Sequence, residues 1–332
     1  MFRRLKPDWF LTGMIIAIIL AALFPSPGAH DGPLHPELLT RFGIALIFFL
    51  NGATLSFNAL KDGVMRWRLH LIVQASTFIL FPVIGLVFLT IAGRWISPDL
   101  RLGFFYLCAL PSTVSSSVAM TSAARGNVPV AVFNATLSSL IGIGVTPLWM
   151  SLLLKTSGQY LDVTDVFLDL FKWMVLPMII GQGLRPLIGA WLGQHKKLTQ
   201  LADRGTILLL VYTSFCDSFA LDIWAATRPA VMLSVIAATL VLFFTVLLLL
   251  WKLCDRAAIP PVLRTAVVFC GTKKSLAAGV PMASLIFTGH ASGLGLILLP
   301  IMIYHSLQLL ICTPLANRWA KEAQTQEDAI TA

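Results

Sequence analysis

Charge is scarce in this chain. Aspartate, glutamate, lysine and arginine together make up 12% of its 332 residues, about half the share of an ordinary soluble domain. With a mean hydropathy of +0.84, that balance excludes a water-soluble globular fold. Acid is the scarcer sign, with 15 aspartates and glutamates against 24 lysines and arginines. No apolar stretch carries the paired carboxylates, His-rich cluster or nucleophile elbow on which a membrane enzyme would be built. Cysteine is limited to five residues (Cys108, Cys216, Cys254, Cys270, Cys312), all in or beside apolar runs and with no CxxC pair. They read as small buried hydrophobes, with no disulfide and no metal site expected. Thr272-Lys-Lys-Ser275 has the outline of the tail of a phosphate-binding loop but lacks the glycine such a loop needs ahead of it, so no nucleotide or other cofactor is expected. The formal charge of +9 is scattered singly between apolar runs, which argues for a topology signal and against a nucleic-acid partner.

What the chain has in abundance is apolar runs of about 20 residues, each long enough to cross a hydrocarbon core of about 30 Å as a helix. They fall at 10–24, 38–57, 69–91, 102–124 and 128–154, and again at 166–184, 206–220, 230–253, 262–287 and 294–316. The reading is an all-α membrane protein of ten transmembrane helices: residues 1–155 a first five-helix repeat, 156–320 a second, and 321–332 a cytoplasmic tail. Arg3, Arg4 and Lys6 ahead of the first run have the look of a signal peptide, but the symmetry of the halves needs this helix, and it is taken as the first span.

Cationic loops stay on the cytoplasmic side. One alternating set of segments holds sixteen of the basic residues, from Arg3 to Lys321, and the other holds Arg41, Arg94, Arg101, Lys155, Lys172 and Arg228. Both termini are therefore expected in the cytoplasm, and a bacterial inner membrane is the expected home. Five spans per half, an odd number, make the second half enter the membrane inverted, the pattern of many secondary transporters. The halves share a polar patch in mid-span, Pro111-Ser-Thr113-Val-Ser-Ser-Ser117 in the fourth and Cys270-Gly-Thr272-Lys-Lys-Ser-Leu276 in the ninth. Each is followed by a long run leading to Thr-Pro-Leu, at 146–148 and 313–315.

These patches hold the candidate site. Pro111 lacks an N–H and clashes with the preceding turn, so the fourth span should break there and free main-chain groups at depth. Ser112, Thr113, Ser115, Ser116 and Ser117 place hydroxyls beside the break, and the last four are taken as substrate-binding candidates. Serines at a helix interface are the plainer reading, but the cluster next to proline favours a cavity. Lys273 and Lys274 lie nine residues past Arg264, about 14 Å into the membrane. A lysine there is costly unless it meets water or an anion, and snorkelling serves helix ends, not centres. Adjacent helical positions point about 100° apart, so the two lysines should have different partners. With Thr272 and Ser275 they complete the expected substrate-binding set. Asp217, Asn51, His305 and Gln308 are candidates for coupling or for pairing with a lysine, or plain interhelical hydrogen-bonding residues.

Taken in order, several segments resemble the bile acid:sodium symporter superfamily, and more closely its branch resembling solute carrier family 10 member 7, with related bacterial symporters. They include Val114-Ser-Ser-Ser-Val118, Arg125-Gly-Asn127, Ile141-Gly-Ile-Gly-Val-Thr-Pro-Leu148, Leu176-Pro-Met-Ile-Ile-Gly-Gln182, Phe215-Cys-Asp217, Lys274-Ser-Leu276, Gly279-Val-Pro-Met282, Gly289-His290 and Ile303-Tyr-His305. The resemblance implies a panel and a core domain, broken fourth and ninth helices crossing at the centre, and alternating access. Sodium-coupled members bind sodium through an asparagine in the fourth span and a glutamate and glutamine in the ninth. The matching positions here are Val118, Lys273 and Ala277, none of which offers a side-chain oxygen to a cation. The expectation is a secondary transporter of a small organic anion without the usual sodium sites, its coupling ion open between sodium and the proton. The substrate would be held between the Ser115 to Ser117 hydroxyls, the half-helix N-termini and the ammonium of Lys274 or Lys273. A non-transporting membrane regulator or scaffold is the alternative.

Overall fold

The computed structural model describes residues 9–29, 32–33, 35–54, 66–156, 163–220, 229–287 and 293–331, and these are helical almost throughout, with no strand among them. In chain order the helices are α1 (Trp9–Leu23), α2 (Pro36–Thr54), α3 (67–92), α4 (Pro98–Ala109), α5 (Ser115–Ala123), α6 (Val128–Thr156), α7 (163–194), α8 (Lys196–Ala220), α9 (Pro229–Arg256), α10 (Pro261–Thr272), α11 (Leu276–Ile286) and α12 (Leu294–Thr331). Among the described residues six helical stretches are both long and apolar enough to cross a membrane, in α2, α3, α6, α7, α9 and α12. Large side chains such as Leu187, Leu233, Val241 and Ile91 stand exposed along these helices. In water that surface would be a liability; in lipid it is the solvent-facing side. The chain is therefore a multi-pass integral membrane protein.

Two helices carry a wide turn, and proline explains both. In α3 the segment Ser76–Leu80 is a π turn, in which the Phe81 N–H bonds back to the Ser76 carbonyl. Pro82 follows and has no N–H to give. The carbonyls of Thr77 and Phe78 are left without their helical donors, and the indole of Trp149 takes one of them, Nε1 to the Phe78 oxygen at 3.0 Å. In α7 the turn Phe171–Val175 precedes Pro177 in the same way.

The helices gather into two compact units, each drawn from both halves of the chain. One comprises residues 1–55, 162–228 and 280–298. Here α2 packs along α7, and α1 and α2 along α8. The α2–α7 contact is close because Gly52 faces the Met178 carbonyl and Gly181 faces the Phe49 carbonyl, with no room for a Cβ at either. The other unit comprises residues 56–161, 229–279 and 299–332. In it α10 packs against α3, α5, α6 and α9, and α4 against α3 and α6. Nearly all of α4, and α10 from Thr265 to its end, are buried. The five cysteines are free thiols and buried. Residues 321–331, read from sequence as a tail, continue α12.

Candidate functional site

Helix α4 stops at Ala109 and α5 starts at Ser115; α10 stops at Thr272 and α11 starts at Leu276. The first break follows from Pro111, which pushes the residue before it out of the helical region. Leu110 accordingly has φ −68° and ψ 153°. Gly142 of α6 lies against the Pro111 ring, where a Cβ would come within 2.7 Å. The second break has no proline. Lys273 turns extended at φ −95° and ψ 150°, and Ser275 restarts the helix as its cap, with Oγ accepting from the Ala278 N–H at 3.1 Å, a bond typical of a helix N-cap.

The interruptions meet. The Ser275 N–H donates to the Pro111 carbonyl at 2.9 Å. A helix end leaves four carbonyls without donors, and at the end of α10 every one is met from a different place. Ser117 Oγ donates to Phe269 O (3.3 Å), Ser112 Oγ to Cys270 O (2.6 Å), Ser76 Oγ to Gly271 O (3.0 Å) and Tyr304 OH to Thr272 O (2.6 Å). At the end of α4, Thr146 Oγ1 donates to Ala109 O at 2.8 Å, which gives the first Thr-Pro-Leu a structural role. Ser112 N–H is met by Ser138 Oγ at 2.9 Å.

The two lysines are fully buried and go separate ways. Lys274 Nζ donates to Thr77 O (2.9 Å), Cys108 O (2.8 Å) and Leu110 O (2.7 Å), and its charge lies 4.1 Å from the centre of the Phe81 ring. An ammonium has three protons to give, so this one is saturated. The main chain of Lys274 is gripped by Gln308, whose Oε1 accepts from the N–H at 2.9 Å while Nε2 donates to the carbonyl at 3.0 Å. His305 Nδ1 lies 2.9 Å from the same Nε2. Lys273 Nζ donates to Ser116 O at 2.8 Å and lies 5.3 Å from the Phe269 ring centre. Two of its protons have no acceptor among the described residues. Neither lysine has a carboxylate partner there; the carboxylates of Asp255 and Glu322 pair instead with Arg264 and Arg318.

Beside Lys273 the first turn of α5 has no side-chain cap, so its N–H groups point outward at the positive end of that helix. Thr113 Oγ1 lies 2.7 Å from Ser116 Oγ and 3.0 Å from Ser117 Oγ, and Ser115 is exposed.

Of the residues singled out from sequence, Thr113, Ser115, Ser116, Ser117, Lys273, Lys274 and Ser275 come together here with His305 and Gln308. Thr272 is buried beside them, its hydroxyl on the Val268 carbonyl of its own helix at 2.7 Å. Asn51 lies on an exposed face of α2 in the other unit, and the Asp217 side chain lies outside the described residues. Thr77, Tyr304, Ser76 and Ser138 were not anticipated. They act through one polar atom each, and only Pro82, six residues past Ser76, hinted at the turn behind two of them.

The profile of the SBF-like CPA transporter family matches residues 8–321, nearly the whole chain. A membrane transporter, and not an enzyme, is the class that the helices and this match define. Uncharacterized protein PA2026 of Pseudomonas aeruginosa is 40% identical over 329 residues, covering 99% of this chain and 97% of its own. Sodium/bile acid cotransporter 7-B of Xenopus laevis is 35% identical over 325 residues, 96% of this chain and 94% of its own. Sodium/bile acid cotransporter 7 of Rattus norvegicus is 33% identical over 337 residues, 98% of this chain and 96% of its own. The chain belongs to the SBF-like CPA transporter family.

Proposed function

We propose that this protein is a secondary transporter of a small organic anion, working by alternating access, and that the anion binds at the first turn of α5 beside Lys273. The observation that carries the reading is a buried ammonium with, among the described residues, one main-chain acceptor and no acid. An ammonium removed from water without a partner is expensive. A carboxylate, sulfonate or phosphate ester would supply the missing acceptors. The uncapped N–H groups of α5 would serve the same anion, since a helix N-terminus favours negative charge, and the Thr113 and Ser116 hydroxyls lie at the same turn.

In this reading the helices count as ten spans, with α4–α5 and α10–α11 each one interrupted span. The halves are inverted five-helix repeats, both termini are cytoplasmic, and the membrane is a bacterial inner membrane. The unit with both interruptions takes the part of the core, the other that of the panel. The coupling ion is sodium or the proton.

The test is a melting-temperature screen of the purified protein against small carboxylates, sulfonates and phosphate esters, run in parallel on Lys273→Met. An anion that stabilises the parent should bind the variant at least about tenfold more weakly, the equivalent of about 1.4 kcal/mol. Equal stabilisation of both proteins, or unimpaired uptake by the variant in vesicles, would remove the assignment.

A further inference from the structure

The surroundings of Lys274 are those of a cation site. Three main-chain oxygens, from Thr77, Cys108 and Leu110, converge on its ammonium at 2.7–2.9 Å, the range of charge-assisted hydrogen bonds. Two come from the C-terminal end of α4, where the helix dipole is negative. The third is the carbonyl of the π turn, which has no helical donor because Phe81 bonds to Ser76 and Pro82 has no N–H. The face of Phe81, at 4.1 Å, adds the negative side of an aromatic quadrupole. None of these four groups can be satisfied by neutralising the others, and all favour positive charge.

We infer that this carbonyl cage is a monovalent-cation site which the chain fills with its own Lys274 ammonium. A site of neutral oxygens suits a singly charged ion of low hydration cost, whereas divalent ions call for carboxylates. The occupant is covalently attached, so the cage stays filled at any salt composition and the crossing of the interrupted helices needs no ion from the medium. Emptied of its amine, the cage accepts ammonium or potassium. The inference is independent of which anion, if any, binds at Lys273, because its test uses no substrate.

The experiment compares melting temperatures of the parent, Lys274→Ala and Lys274→Met in ammonium, potassium, sodium and choline chloride at equal ionic strength. The parent should melt alike in ammonium, potassium and choline. Lys274→Ala should lose several degrees in choline, a cation too large to enter, and regain most of the loss in ammonium or potassium. Lys274→Met occupies the same space without charge, so it should lose stability in every salt and regain it in none. If Lys274→Ala is recovered folded only when ammonium or potassium is present during purification, the inference is supported. It is overturned if Lys274→Met is as stable as the parent, if Lys274→Ala responds alike to all four cations, or if Lys274→Ala folds in none of them.

Discussion

Two lysines side by side in the same break have opposite chemistry, and the difference lies in how many acceptors each one meets. Lys274 spends all three protons on carbonyls; Lys273 spends one. That a lysine at this depth must matter was legible from its distance to Arg264; the pair was expected to diverge by the 100° between neighbouring helical positions, but it parts because the helix has already ended at Thr272 and Lys273 is extended. Which lysine would be free was not legible, because it depends on a carbonyl of α3 some 200 residues away in sequence. A second acid–base group deserves a test outside the apolar stretches. Asp203, on the polar end of α8 ahead of Thr206, has an occluded Oδ1 with no hydrogen-bond partner among the described residues. Burial raises its carboxyl from 3.8 to about 6, and neighbouring Arg204 offsets only part of this. The fold therefore favours the neutral acid, and the stability this group contributes is present at low pH and lost as pH rises from about 4 through about 6. Asp203→Asn should raise the melting temperature at neutral pH, with the gain vanishing toward pH 4. Parallel melting curves for both proteins across that window would contradict the assignment.

At the scale of elements, the fourth-span break was readable because proline announces it. The ninth-span break was readable only as a weakened polar patch, since Lys273 and Ser275 have no intrinsic power to stop a helix. Its end is instead fixed by four hydroxyls arriving from α3, α5, α12 and the α4–α5 connection. Such convergence has no signature along one chain segment. The serine cluster shows the same limit: Ser112 and Ser117 donate their hydroxyls to α10 carbonyls, which leaves Thr113 and Ser116 as the better candidates for a ligand. In the other unit, the close pairing of α2 with α7 makes a sharp prediction. Gly181→Ala should force the Phe49 carbonyl away and destabilise the protein by about 1–3 kcal/mol, as overpacking does. Gly183, two residues on with open space around it, is the control. Gly183→Ala should be neutral or slightly stabilising. Thermal melts of both in detergent decide the matter; equal behaviour would mean that the contact does not hold the helices together.

For the whole molecule, ten apolar runs were read from sequence, whereas among the described residues six helical stretches meet length and hydropathy together. The shortfall has physical causes. Helices α4, α5, α10 and α11 are 12, 9, 12 and 11 residues long because two runs are interrupted. Helix α1 has only 15 residues, and α8 opens on a polar third. Composition averages over these features, while helix geometry does not. The assembly of each unit from both halves of the chain could not be read from linear order, since it is set by packing between distant segments. Topology remains testable directly. With both termini cytoplasmic, as proposed, a C-terminal green fluorescent fusion should fluoresce and a C-terminal alkaline phosphatase fusion should be inactive. The reverse pattern would refute the orientation drawn from the basic residues.

Interrupted helices are commonly thought of as hinges, but here the gaps are bolted. Each loose carbonyl of α10 is fastened by a different neighbour, the end of α4 is fastened by Lys274 and Thr146, and the connection after it by Ser275. Bending at either gap would break several bonds at once in a medium with no water to replace them. The crossing is thus tied together by many bonds within its unit, and a transport cycle of the proposed kind would carry it as one piece.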